Sequence, residues 1–450
     1  HFGLTVDVEG AHRIIVVRPE DWPLQACRVR PDGPVFLNKR GAFGMSSAAY
    51  WWNRLAAALQ RSGLCVVGPW LPLWSLLFAD DFDLTAEGAT YIRAIATFIW
   101  WLVLFGVPLA WKKCRGGLRY TWVGYEKCLR EWSLGIAESR AQWVDGWLSK
   151  AIVAGRVDTR DLREALGRMV YVYGALQYDR PFLAPLFTFL SVHKSDGLKR
   201  LPLYALVVMR WLRDRLRVRR AQTVRQRGVV RGSVLRVDAK AEGLSVGVGG
   251  WSPFRDEEGN IVREKSAWFS LALTPDNAPW AFVKGEPART ISTLELLATT
   301  VGLVLLSPPV LDTPGAAGTV AVTGLTDSQV SAAVVTRGLT TAFPLCAVAM
   351  ELAAQLERRR AELFLEWVPR DQNGEADRLA DGCSTGFAES RRAHLELDQI
   401  SWLVLPELLR TGQDFYDRVV RGKKRRGKTA AAAGPVQKRK RLSLRAREPW

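Results

Sequence analysis

The sequence predicts an α/β chain with more than one domain. Short apolar, β-branched runs alternate with stretches of helical spacing in both halves, the two periods that mark strands and helices. Aspartates and glutamates stand at the ends of several runs, where neighbouring elements can present them together. A length of 450 residues leaves room for two or three domains.

Residues 4–17 read as a strand carrying Asp7, a turn, and a second β-branched run. Residues 35–50 read as a strand and a small-residue loop leading into a helix over 51–60. The apolar run 74–79 ends in Asp80 and Asp81 and is followed at once by Phe82, Asp83 and Leu84, which sets two carboxylates at the tip of a buried hairpin. Two like charges about 4 Å apart repel by about 4 kcal/mol at an effective dielectric of about 20. Alone, the pair also suits an ordinary surface turn; gathered with further acids, it needs cations.

In this order, an aspartate strand, a glycine-containing loop with its helix and a hydrophobic-x-Asp-Asp hairpin, the segment resembles the palm of a reverse transcriptase. The resemblance implies that Asp7 and Asp80 hold two divalent metals with Asp81 beside them, and that Gly44 lets the backbone approach template and incoming nucleotide. Residues 105–114 resemble the lysine-bearing motif that follows the hairpin, with Lys113 preferred over Lys112 near the triphosphate. Residues 120–125, with Trp122 and Gly124, resemble the primer-grip hairpin. Three positions depart from the pattern. His12 stands where an aromatic ring usually meets the ribose, Phe43 precedes Gly44 where many relatives have Gln, and Phe78 replaces a Tyr. Sugar discrimination is therefore open.

In the second half, residues 234–243 begin a run whose alternating Val and Gly, through Gly249, Gly250 and Trp251, suits a strand, a turn and a partner strand. A helix over 293–298 carries Glu295, a strand ends at Thr326 and Asp327, and a loop from Pro369 opens a helix with Asn373 and Asp377. Singly, each acid is also accounted for as a solvated charge or a helix cap. Together they resemble the ribonuclease H fold, and the resemblance implies that Asp238, Glu295, Asp327 and Asp377 are four metal-binding carboxylates. The histidine that many relatives carry shortly before the last aspartate is absent, and only Arg370 supplies a cation between Trp367 and Asp377.

The two resemblances imply an α+β palm with an antiparallel sheet and a helical thumb, followed by a ribonuclease H-like α/β domain with a mixed sheet. The expected boundaries are a palm over 1–125, thumb and connection over 126–231, the ribonuclease H domain over 232–390, a helical extension over 391–420 and a basic disordered tail over 421–450. The implied protein is the RNA-directed DNA polymerase of a retrotransposon, with ribonuclease H cleavage of RNA in RNA–DNA hybrids. Both reactions use two-metal phosphoryl transfer. Mg2+ is the expected cofactor and Mn2+ its substitute, since hard cations take carboxylate and phosphate oxygens. Expected partners are an RNA template, a DNA primer, dNTP and the RNA–DNA hybrid. The chain starts at His1, close to the Asp7 strand, so the fingers are expected from upstream polyprotein segments.

Composition agrees with polyanionic substrates. The chain has 63 Lys+Arg against 45 Asp+Glu, a formal charge of +18 and a pI near 9.9. From Arg421 onward there are twelve basic residues and one acid, so eleven of those eighteen charges sit in the tail. Its clusters at 423–426 and 438–441 resemble a bipartite nuclear localisation signal, and a phosphate-gripping tail accounts for them equally. A nuclear or cytoplasmic location is expected. The arginine-rich stretch 210–231 suits a duplex backbone or a solvated linker. The six cysteines show no C-x-x-C spacing, so neither a zinc site nor a disulfide framework is indicated.

Two other classes stay open. One is a nucleic-acid-binding remnant that no longer polymerises. The other is a membrane-anchored protein, because residues 94–111 run 18 residues without a charge. Gly106 and Pro108 interrupt that run, and it is expected as buried core with no membrane partner.

Overall fold

The computed structural model describes residues 1–42, 44–193, 195–223, 234–283, 285–307, 320–394 and 396–432. Phe43, the arginine-rich continuation over 224–231 and the second basic cluster of the tail lie outside the described residues. The chain divides into two compact units, His1–Ala137 and Glu138–Trp450.

The first unit is built on β1 (Phe2–Asp7), α1 (Ser46–Val67), β2 (Leu73–Phe78), β3 (Asp81–Ala86), α2 (Tyr91–Leu104) and β4 (Arg115–Gly117). Its antiparallel sheet has the order β2-β3-β1-β4. Phe82, Leu84 and Ala86 alternate along β3 and are fully buried with Trp52 and Ala56 of α1 and Phe98 and Leu102 of α2. Gly63 allows the two helices to approach, since a Cβ there would lie 2.8 Å from the Phe98 ring and 2.9 Å from Trp101.

A meander follows, of β5 (Arg119–Trp122), β6 (Tyr125–Cys128) and β7 (Ser133–Ile136). Its first turn puts Val123 and Gly124 both at positive φ, 49° and 80°, the geometry of a tight hairpin. Residues from 126 were expected to be helical. These hairpin turns explain why strands run on to Ile136 and the first helix beyond them starts only at Glu138.

Further expectations are refined here. The turn before the second β-branched run is a single helical turn, Ala11–Ile14, begun by Gly10 in the left-handed region, and the run beyond it is extended, with Val16 bridging to Arg40 and Val17 donating to the Lys39 carbonyl at 3.2 Å. The hairpin bearing Asp80 and Asp81 is buried along β3 only, because β2 is an edge strand that leaves Trp74, Leu76 and Phe78 about half exposed. The uncharged segment forms α2 only to Leu104 and turns at Gly106, φ 67°; one face is buried, while Ile92, Trp100 and Leu104 are exposed.

The second unit opens with four helices, α3 (Glu138–Ala154), α4 (Thr159–Ala175), α5 (Ala184–Val192) and α6 (Leu203–Val218). Asp158 caps α4 by accepting from the Arg160 and Asp161 N–H groups. There follow β8 (Val234–Glu242), β9 (Ser245–Ser252), β10 (Ala267–Leu273), α7 (Ile291–Leu306), β11 (Val320–Thr326), α8 (Gln329–Arg337), α9 (Leu345–Arg358), β12 (Ala361–Trp367) and α10 (Gly374–Ala380). The five strands form a mixed sheet in the order β10-β9-β8-β11-β12, antiparallel on the β9 side of β8 and parallel on the β11 side. That arrangement is the mixed sheet expected of a ribonuclease H-like domain.

Glycines seat helices on both faces of this sheet. A Cβ at Gly249 would lie 2.3 Å from the Ala380 nitrogen of α10, and one at Gly302 of α7 would lie 3.0 Å from Val237. The neighbouring Gly250 meets Val237 and Phe269 instead. Successive residues of a strand face opposite sides, so α10 and α7 cover opposite faces. The helical stretch Pro287–Leu306 is apolar and long enough to span a membrane by length and composition, but 61% of its apolar window is buried in the unit, as in a core helix.

The last helix, α11 (Leu405–Ala432), continues eleven residues beyond the point, 421, at which a disordered tail was expected. Its start is capped from a distance. The buried Glu351 carboxylate of α9 accepts from the backbone N–H groups of Leu403, Val404 and Leu405 at 2.7–3.1 Å, and from Gln355 at 2.6 Å.

Candidate functional site

In the second unit, three elements converge on one acidic group. β8 carries Asp238, α7 carries Glu295, and Asp327 follows the last residue of β11. One carboxylate oxygen from each lies within 4.8 Å of the others. Asp238 is 3% exposed and Glu295 9%.

The turn at Asp327 is pinned on both sides. The Trp367 indole donates to its carbonyl at 3.0 Å, and Thr326 Oγ1 accepts from the Ser328 N–H at 3.1 Å while Ser328 caps α8. Asn373 at the start of α10 donates to the Val237 carbonyl at 3.0 Å, tying that helix to the strand beside Asp238.

Electrostatics show what the group lacks. Asp238 Oδ1 accepts from the Ala239 N–H at 2.7 Å, but Glu295 Oε2 and Asp327 Oδ1 are buried with no hydrogen-bond partner. Burial, followed by the Asp327 charge, pushes Asp238 up to about 7. Burial, followed by the Asp238 and Asp327 charges, pushes Glu295 up to about 9. An all-oxygen donor set with orphaned oxygens and, among the described residues, no directly paired base fits a hard divalent cation, so Asp238, Glu295 and Asp327 could hold one. Asp377 stands apart, 37% exposed, and accepts from Arg370 Nη2 at 2.8 Å.

In the first unit, Asp7 and Asp81 are directly opposite each other at the ends of β1 and β3, and the Val8 N–H donates to the Asp80 carbonyl at 3.0 Å. Burial, then the Asp7 and Asp80 charges, pushes Asp81 up to about 6. Lys113 reaches the same place, with Nζ 2.9 Å from Asp7 Oδ1. Among the described residues, these three aspartates do not gather as tightly as the acidic group of the second unit. The tip itself is strained: Ala79 has φ 54°, and the buried Trp52 indole holds its carbonyl at 2.9 Å.

Other sequence-derived positions fall around this tip or away from it. His12 lies on the Ala11–Ile14 turn, and the glycine that accommodates its backbone is Gly41, where a Cβ would sit 2.3 Å from the His12 carbonyl oxygen. Gly44 has φ 90° and open space around it. Trp122 and Gly124 flank Val123 at the β5–β6 turn. Sequence reasoning missed Asp83, 1% exposed, which accepts from Tyr120 OH at 2.7 Å and pairs with Lys127. Gly3 makes room for this contact, since a Cβ there would lie 2.1 Å from the Tyr120 ring. The alternation of β3, with Asp83 between buried Phe82 and Leu84, was the available signal.

No family model matches the sequence, and no curated protein matches it. Among solved structures, the chain is similar to the foamy viral protease-reverse transcriptase in complex with RNA/DNA hybrid, at 12% sequence identity and a TM-score of 0.42. The match covers 81% of this chain and 44% of that one, so the chain spans less than half the length of that protein.

Proposed function

We propose that the second unit is a metal-dependent nuclease of the ribonuclease H type and that the first is the palm of an RNA-directed DNA polymerase, both belonging to a retroelement reverse transcriptase. The observation that carries this reading is the buried Asp238, Glu295 and Asp327 group with two orphaned oxygens. These residues, with Asp377 nearby, would hold Mg2+ or Mn2+. Such a cation, when bound, generates a nucleophile from water and offsets charge developing on the phosphodiester.

The chain's own contribution is placement. β8, α7 and the Asp327 turn hold the carboxylates rigidly, while Asn373 and the glycines under α10 fix the approach of Asp377. The substrate is the RNA strand of an RNA–DNA hybrid, recognised by its 2′-OH and helix shape.

In the first unit, Asp7, Asp80 and Asp81 form the polymerase centre, Lys113 lies beside the triphosphate, and Trp122 and Gly124 hold the primer. Gly44, Phe43 and His12 contact template, incoming nucleotide and sugar, and a polymerase of this kind also needs fingers to hold template and triphosphate. Positioning by those fingers provides much of the rate in phosphoryl transfer.

The test is cleavage of RNA–DNA hybrid by the full chain with Mg2+. Cleavage that Asp327→Asn abolishes is expected, and equal activity in that variant refutes the assignment. A second reading, a chain that binds nucleic acid without polymerising, draws on the looser gathering of Asp7, Asp80 and Asp81 and the Lys113 contact. RNA-templated primer extension by the full chain separates the two. Import by the basic tail is tested by locating the full chain with and without residues 421–450.

A further inference from the structure

Asp377 differs from the buried Asp238 and Glu295 and the half-buried Asp327 in one contact. Arg370 Nη2 donates to its Oδ1 at 2.8 Å, and both side chains meet water, Arg370 being 76% exposed. Among the described residues, no lysine or arginine pairs with Asp238, Glu295 or Asp327, although Glu295 is nine-tenths buried with Oε2 unpartnered. Arg370 is nonetheless close enough for its charge to act on Asp238 and Glu295. It is the only basic residue from 367 to 377.

We propose that Arg370 is the resident counter-cation of Asp377, so that the centre takes one divalent ion on Asp238, Glu295 and Asp327 and admits a second at Asp377 only by displacing the guanidinium. The proposal rests on the metal-dependent reading above. Two cations cannot share one carboxylate without repulsion. The exposed ion pair is weak enough to yield to a divalent ion, which makes the second step weaker than the first without blocking it. A guanidinium also keeps its charge at all accessible pH, unlike an imidazole. The state of this latch is therefore set by cation concentration and not by proton concentration.

The experiment is a calorimetric Mn2+ titration of the full chain carrying Asp80→Asn and Asp81→Asn, which remove the acidic pair of the first unit. Two binding steps are expected. Arg370→Gln should tighten the second up to about fivefold, roughly the effect of removing one nearby exposed charge, and shift the first by less. Arg370→Lys should keep the weak second step, and Asp377→Asn should delete that step alone. An unchanged second step in Arg370→Gln, a Lys variant behaving like Gln, or a single step in both Arg370 forms overturns the proposal. Absence of any Mn2+ binding that depends on Asp238 overturns the metal-dependent reading itself.

Discussion

Raising the pH without divalent cations should destabilise the second unit, and a cation should reverse the effect. Asp238 rises from 3.8 to about 7, chiefly through burial and then Asp327's charge, and Glu295 from 4.5 to about 9, chiefly through burial and then the Asp238 and Asp327 charges. A carboxyl whose folded-state pKa exceeds its unfolded value is bound to a proton longer in the folded state. Its stabilising contribution is therefore full below about pH 4 and is lost as pH rises through the folded pKa. Each group loses at most about 1.4 kcal/mol per pH unit. Both contribute from about pH 5 to 7, and Glu295 alone up to about 9, so the loss from pH 5 to pH 8 is bounded by about 7 kcal/mol, and a few kcal/mol is expected once local relaxation and water reach the charged groups.

For a unit of this size, about 1 kcal/mol corresponds to roughly 2–4 °C in Tm. The assay is thermal unfolding of the full chain in EDTA from pH 5 to 9, repeated with Mg2+. The EDTA series should fall by roughly 5–10 °C, and Mg2+ should raise Tm more at pH 8 than at pH 5, since binding requires both protons to leave. Glu295→Gln imitates the protonated side chain. In EDTA at pH 8 it should be more stable than the parent, and it should lose the Mg2+ response. A flat EDTA profile, or a Gln variant as sensitive to pH as the parent, refutes the reasoning.

Glu351→Ala strands three backbone N–H groups at the start of α11 and should cost about 3–5 kcal/mol at the usual penalty for unpaired buried donors, read by urea unfolding and by earlier proteolysis of α11. Gly249→Ala forces a Cβ to within 2.3 Å of the α10 backbone and should cost about 1–3 kcal/mol by overpacking; Gly374→Ala, in open space, should stay within about 0.5 kcal/mol of the parent. Tyr120→Phe removes a 2.7 Å donor from the buried Asp83 and should destabilise the first unit by about 1–3 kcal/mol, with the difference seen in its unfolding midpoint.

Elements with a strict period were legible from sequence. β8 and β9 with the Gly243 turn match the Val/Gly alternation, and the β5–β6 hairpin matches its Val-Gly turn. The turn after the Asp7 strand is helical because Gly10 starts it, and the β-branched residues 15–17 beyond it are extended where residues 39–41 partner them. The apolar segment 94–111 was legible as core with a break at Gly106, but only one face of its helix is buried, because composition reports total hydrophobicity and not which face is covered. Glu351 was invisible as a helix cap because the N–H groups it serves are more than fifty residues away.

The candidate carboxylates were legible for a different reason: the chemistry demands acids, whereas their surroundings demand only space and counter-charge, which many residues can supply. Gly3, Gly41, Gly247 and Gly249 are needed for what a Cβ would strike, and no local pattern announces that. The counter-charges are equally hidden. In each candidate acidic set one acid is paired with an exposed base, Lys113 with Asp7 and Arg370 with Asp377, at 2.9 and 2.8 Å. An exposed pair contributes at most about 1 kcal/mol, too little to hold a carboxylate against a divalent ion. Such a partner neutralises one charge of each set while leaving it exchangeable, and in the second unit Asp238, Glu295 and Asp327 keep the mutual repulsion that a bound cation could relieve.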